Sequence, residues 1–200
     1  MTRAPLRVAL YGGAFDPLHN GHLAAIAGIL KSGAADRVVV VPCGDRPDKP
    51  QASLGEHRLA MTRLGVEGCF AGDERVTVSD AQVAGHAGYA TVDLLSHFAK
   101  ELPGEELLVV IGPELLADLP SWRDPERLRN IAHLLVVRRP GVTCQEPPPG
   151  WRITPLTAPY EGEVEASSTE LRQRLRQGRP TDGLVPTAVR EYCIRHSLYR

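Results

Sequence analysis

The chain has 200 residues, 42% apolar and 24% charged, with a formal net charge of −1 and a sequence pI near 6.7. That is enough chain for one soluble domain with a sizeable core. The charge balance offers no broad attraction to nucleic acid or to an anionic membrane, and the basic residues are scattered. Cys43, Cys69, Cys144 and Cys193 lie far apart without a C-x-x-C pair, which argues against a disulfide framework or zinc cluster. No secretory leader or membrane-length apolar run is evident, so the expected location is the cytoplasm.

In chain order, Leu6 to Tyr11 reads as a buried first strand. The glycines Gly12 and Gly13 follow, then Leu23, Ile26, Ala27 and Leu30, spaced as one helix face. Gly33 should end that helix. The unbroken valines of Arg37 to Pro42 predict a strand buried on both faces, as in a helix-covered parallel sheet. Ser53 and Glu56 read as a capping box opening a helix to about Leu64. Arg75 to Ser79 is a third strand, Thr91 to Leu102 a helix, and Leu107 to Gly112 a buried strand. A short helix over Glu114 to Leu119 and a turn at Pro120 to Trp122 come next. Asp124-Pro125-Glu126 has the cap, proline and acid of a helix start. His133 to Arg138 is a fifth strand and Arg152 to Thr154 an edge strand. Helices close the chain over Ser168 to Gln177 and Pro186 to His196. This alternation predicts an α/β fold with a doubly wound, mostly parallel sheet, which binds ligands at the carboxyl ends of its strands.

The most informative stretch is Tyr11-Gly12-Gly13-Ala14-Phe15-Asp16-Pro17-Leu18-His19-Asn20-Gly21-His22-Leu23. A strand feeding a helix through two glycines presents backbone N–H groups and the positive helix end, a setting for phosphate. His19 and His22 are three apart, on neighbouring helix positions. Two histidines alone make no zinc site. Neither the dinucleotide G-x-G-x-x-G nor a Walker G-K-[ST] is present, which counts against a hydride-transferring enzyme. Near the other end, Ser167-Ser168-Thr169-Glu170-Leu171-Arg172 joins a capping box to an arginine one turn inside a helix. A planar guanidinium there engages two phosphate oxygens at once.

The first stretch resembles the G-G-x-F-D-P-x-H-x-G-H-L signature of the nucleotidyltransferase superfamily. The whole chain looks like the bacterial nicotinate-mononucleotide adenylyltransferases. Ser167 to Arg172 resembles their S-S-T-x-x-R, Gly112-Pro113-Glu114 and Leu119 to Trp122 their G-x-D and L-P-x-W, and Arg138 to Gly141 their R-x-P-G. The resemblance implies a Rossmann-like nucleotidyltransferase domain over 1–200, with a small helical part over 166–200 completing the phosphate site. It implies AMP transfer from ATP to nicotinate mononucleotide, giving deamido-NAD and pyrophosphate in NAD biosynthesis. His19 and His22 would act on the triphosphate, and an imidazole near neutral pH can be cationic beside phosphate. Gly12, Gly13, Ala14, Phe15, Gly21, Gly112, Glu114, Arg138, Ser167, Thr169 and Arg172 would bind ATP. Lys49, Ala90, Thr91, Asp93 and Trp122 would hold the acceptor, Trp122 by stacking, although a lone tryptophan also suits a core. Mg²⁺ would arrive on the ATP phosphates, with no metal held by the protein alone.

Three positions depart from the family pattern. Arg46-Pro47-Asp48-Lys49 replaces P-P-H-K/R, Gly88-Tyr89-Ala90-Thr91-Val92-Asp93 shifts S-Y-T-x-D-T, and Glu114 replaces an aspartate. The adenylyl-transferring half thus rests on more matched residues than the acceptor base. Nicotinamide mononucleotide or another phosphorylated acceptor, and a nucleotide sensor without turnover, remain alternatives. ATP and a pyridine mononucleotide are the expected partners, and the sequence leaves a homo-oligomer open.

Overall fold

The computed structural model describes residues 4–45, 51–137, 146–156 and 167–200. Its strands are β1 (Arg7–Gly13), β2 (Arg37–Pro42), β3 (Val76–Val78), β4 (Glu106–Ile111), β5 (His133–Val137) and β6 (Arg152–Leu156). They form one sheet in the order β3-β2-β1-β4-β5-β6, and every pairing is parallel. Chain order reverses direction between β1 and β4, so Gly12 and Gly13 leave the sheet at its switch point.

The valine runs are buried on both faces, as expected. On one face Leu10, Val39, Val109 and Leu134 pack with Leu94, Leu95, Phe98 and Leu128. On the other, Tyr11, Val40, Val110 and Leu135 pack with Leu23, Ile26, Ile29 and Val66. Alternate residues of each strand therefore supply opposite cores. The helices responsible are α1 (Asn20–Lys31) and α2 (Gly55–Phe70) on one side, α3 (Thr91–Glu101) and α4 (Pro125–Ile131) on the other. Among the described residues, no helix is long and apolar enough to cross a membrane.

The carboxyl-terminal helices α5 (Ser168–Arg176) and α6 (Thr187–Arg195) do not rest on the sheet. Leu171, Val189, Cys193 and Tyr199 form a separate small core against Met61 of α2. Burial pushes the Cys193 thiol up to about 12 from its ordinary 9.0. A thiol raised on folding contributes stability that is complete below pH ~9 and is lost as pH climbs toward ~12. This thiol alone should therefore remove on the order of 1 kcal/mol of stability per pH unit across that window. Chemical denaturation between pH 8 and 11 checks this, and Cys193→Ala should flatten the alkaline limb.

Three local expectations are corrected. Ser53 and Glu56 form no capping box: α2 starts at Gly55 with Leu54 as N-cap and no side-chain cap bond. Ser53 Oγ donates instead to Asp16 Oδ1, 2.5 Å away. The helix also runs past Leu64 to Phe70, because Gly65 is not a terminator. Its missing side chain admits Leu18 and leaves Val189 in contact distance. The short helix over Glu114 to Leu119 is two 3-10 turns, Pro113–Leu115 and Leu119–Ser121, each opened or interrupted by a proline that lacks an amide donor. The cap at Asp124 is as expected, its Oδ1 accepting from the Arg127 amide at 3.3 Å.

Candidate active site

The loop after β1 is built on one close approach. A Cβ at Gly13 would lie 2.9 Å from the Phe15 ring, so only glycine lets that ring fold back over the strand end. Phe15 adopts φ +49°. Its buried ring meets Tyr11 edge-on at 5.4 Å and His22 at 4.9 Å. His19 is the N-cap of α1, in extended conformation with φ −140°. Its backbone N–H donates to His22 Nδ1 at 3.2 Å. An accepting Nδ1 carries a lone pair, so this contact places the His22 proton on Nε2. The His19 and His22 rings stack at 3.6 Å between centroids, tilted by 28°. At that separation two imidazolium charges would repel strongly. With Nδ1 accepting, His22 offers its Nε2–H as the donor in this arrangement.

Helix α5 closes on the same loop. Ser167 is its N-cap and Oγ accepts from the Glu170 amide at 3.2 Å, while Ser168 Oγ donates to the Pro17 carbonyl at 3.1 Å. Arg172 donates to the Asp16 carbonyl at 2.8 Å and to Thr169 Oγ1 at 3.2 Å. Both acceptors are neutral, so the guanidinium keeps its charge for an anion. The start of α1 is tied to the same carboxyl-terminal part, its Asn20 amide donating to Leu184 O at 2.9 Å. The segment carrying Gly12, Gly13, His19, Gly21 and His22 thus meets the one carrying Ser167, Thr169 and Arg172 in one corner, through Pro17 to Ser168 and Asp16 to Arg172, with 151 and 156 positions between the partners. Two helix N-termini and a guanidinium in one corner favour a polyanion.

Beside this corner lies a cleft of about 550 Å³ at the carboxyl ends of β1 and β4. Gly12, Gly13 and Ala14 are among the residues that line it, as are Ala90, Thr91 and Trp122. Trp122 does both things its type suggests: half-buried, it packs on the sheet core while facing the cleft. Asp93, one residue pair further into α3, is held by Arg123 at 2.8 Å. Gly112 and Glu114 are not in the cleft wall. Gly112 is buried and Glu114 is exposed, with the glutamate carboxylate folded over the Gly112 α-carbon. Lys49 and Arg138 lie outside the described residues.

Sequence reasoning missed Gln82, Tyr89, Ser121 and Arg123 in the cleft wall. Gln82 braces the segment before α3, its Nε2 donating to the Gly88 carbonyl at 2.8 Å. Nothing in its neighbours signals this. Arg123 had a signal, as the next residue after a candidate stacking tryptophan in an exposed turn.

Residues 10–174 match the family described as cytidylyltransferase-like. A protein of Thermus thermophilus, named "Probable nicotinate-nucleotide adenylyltransferase", is 38% identical over 195 residues, 98% of this chain and 100% of that one. One of the same name from Leifsonia xyli is 36% identical, covering 97% of this chain and 94% of its own. The solved structure of Plasmodium falciparum nicotinic acid mononucleotide adenylyltransferase complexed with NaAD shares the fold, with a TM-score of 0.80 at 20% identity over 97% of each chain. A parallel sheet with its glycine loop at the switch point, and a sequence match spanning both motif regions, lead to one assignment: the chain belongs to the cytidylyltransferase-like family of nucleotidyltransferases.

Proposed function

We propose that this protein is a nicotinate-nucleotide adenylyltransferase, moving AMP from ATP to nicotinate mononucleotide and releasing pyrophosphate. The observation that carries this reading is the 2.8 Å bond from Arg172 to the Asp16 carbonyl. It sets the second helix mouth against the loop that holds the stacked histidines. Full-length similarity to proteins of that name supports the same acceptor.

In the reaction, an oxygen of the acceptor phosphate forms a bond to the α-phosphorus of ATP. The bond from that phosphorus to the bridging oxygen breaks, and pyrophosphate leaves with the electron pair. Such a step needs alignment and neutralisation of growing charge more than covalent help. The Nε2–H of His22, with His19 stacked behind it, donates to the phosphate chain. Ser167, Thr169 and Arg172 take the departing pyrophosphate, which makes residues 166–200 part of the phosphate site. The amides of Gly12 to Phe15, and Gly21 in the first turn of α1, leave room for the nucleotide. Gly112, Glu114 and Arg138 serve the nucleoside end of ATP, and Lys49 the acceptor phosphate.

Mg²⁺ fits as part of the substrate. Among the described residues no group of three or more His, Cys, Asp or Glu side chains is arranged to hold a metal. The one carboxylate in the phosphate loop, Asp16, spends both oxygens on protein donors. Mg²⁺ would therefore ride on phosphate oxygens and water, where it supplies charge neutralisation.

The acceptor's pyridine ring stacks on Trp122 in the cleft. Its carboxylate meets the amino end of α3 at Ala90 and Thr91, where amides lack intrahelical acceptors. A neutral amide would gain less there. Pyrophosphate release from ATP should be measured with nicotinate and nicotinamide mononucleotides side by side. The expected result is a clear kcat/KM preference for the acid. A preference for the amide overturns the acceptor assignment, and no release with either overturns the enzyme. Trp122→Ala should raise the acceptor KM about tenfold, the scale of one lost stacking contact, and leave the ATP KM unchanged.

A further inference from the structure

Asp16 is 1% exposed, yet no cation among the described residues pairs with its carboxylate. It is held instead by donors from distant parts of the chain. The Ala52 amide reaches Oδ2 at 2.8 Å and the Ser53 amide reaches it at 3.2 Å. Ser53 Oγ lies 2.5 Å from Oδ1. The last-but-one residue, Tyr199, donates its phenol to Oδ1 at 2.7 Å. That ring is itself buried.

The network continues into the cleft wall. Arg58, fully buried, donates to the Ser53 carbonyl and to the carbonyls of Cys43 at 2.8 Å and Gly44 at 3.0 Å. Cys43 lines the cleft. A carboxylate that gathers Tyr199 and the entry to α2, with Arg58 tying that entry to the exit of β2, does more than fill a core. Its own backbone carbonyl is the acceptor that orients Arg172. The carboxylate and that carbonyl belong to one residue, so the bonds that anchor the Asp16 side chain also restrain the backbone whose carbonyl holds the guanidinium.

We propose that Tyr199 is a positioning residue for adenylyl transfer, latching Asp16 from the chain terminus so that Arg172 faces the departing pyrophosphate. This rests on the proposed function for its chemistry, but not for its geometry. Tyr199 touches no substrate. Burial and the neighbouring Asp16 both push its phenol above the ordinary tyrosine range, so it stays protonated, hence a donor, at working pH.

Tyr199→Phe keeps the ring in its small core and removes only the hydroxyl. It should lower kcat about tenfold, with both KM values within about threefold, as expected when alignment is lost and binding is kept. A structural role would be independent of Arg172. In an Arg172→Ala background, Tyr199→Phe should therefore cost less than about twofold, the signature of two residues acting as one unit. Tyr192→Phe, which removes a hydroxyl bonded to His57 on the same helix pair, should leave kcat unchanged. The Arg172 side-chain ¹⁵N signals, identified by their loss in Arg172→Ala, should shift in Tyr199→Phe and not in Tyr192→Phe. Unchanged kcat in Tyr199→Phe, or losses that multiply in the double variant, overturns the latch. If the wild type releases no pyrophosphate, the adenylyl-transfer reading falls by itself, and the Arg172 signals alone decide the latch: unshifted signals overturn it.

Discussion

His22→Ala should lower kcat by about 10²–10³, the range for removing one preorganised donor to developing charge. The side chain sits in the first turn of α1 and offers Nε2–H outward, because its Nδ1 is taken by the His19 amide. Alanine deletes that donor at the triphosphate. It also deletes the ring against which His19 stacks at 3.6 Å, so His19 loses its orientation as well. The stability cost should be small, ~1 kcal/mol, as for losing one helix-cap contact. His22 is only half-buried, and the main cores are uncut. Steady-state pyrophosphate release together with a thermal melt separates the two effects. A large fall in melting temperature with nearly normal kcat would mean that the ring is structural.

Asp16→Ala should be the most destabilising single change in the phosphate loop, by ~3–5 kcal/mol. The buried Ser53 and Tyr199 hydroxyls and the Ser53 amide would all lose an acceptor, each at ~1–3 kcal/mol, with some relief from entering water. The Ala52 amide is less costly, since Ala52 is exposed. For a chain of this length the melting temperature should fall on the order of 10 °C. Denaturant midpoints on wild type and variant check the figure. A loss below ~1 kcal/mol would show that water replaces the carboxylate freely, and that the network is not a tight buried assembly.

Much of this was legible before any coordinates, for identifiable reasons. Val38 to Val41 can only be a strand buried on both faces, and the structure pairs it on both sides. The stretch from Gly12 to His22 is contiguous, so one local segment carries its own turn, helix start and donors. Ser53 was misread because the local pattern Ser-x-x-Glu competes with an acceptor 37 positions away. No window of sequence holds both ends of that bond. The helix end expected near Leu64 fell short for a similar reason: Leu18, from another element, packs where a Gly65 side chain would be. Nor does any window of sequence show Tyr199 as a partner of Asp16, from which 183 positions separate it. Gln82 entered the cleft through tertiary placement alone.

On the proposed function, the mouths of α1 and α5 hold one triphosphate between them. A crystal structure of the protein with a non-hydrolysable ATP analogue tests it directly. The expected result is phosphate oxygens within about 3 Å of both His22 Nε2 and the Arg172 guanidinium. A triphosphate bound to one of them, with the other turned to solvent, would contradict the account.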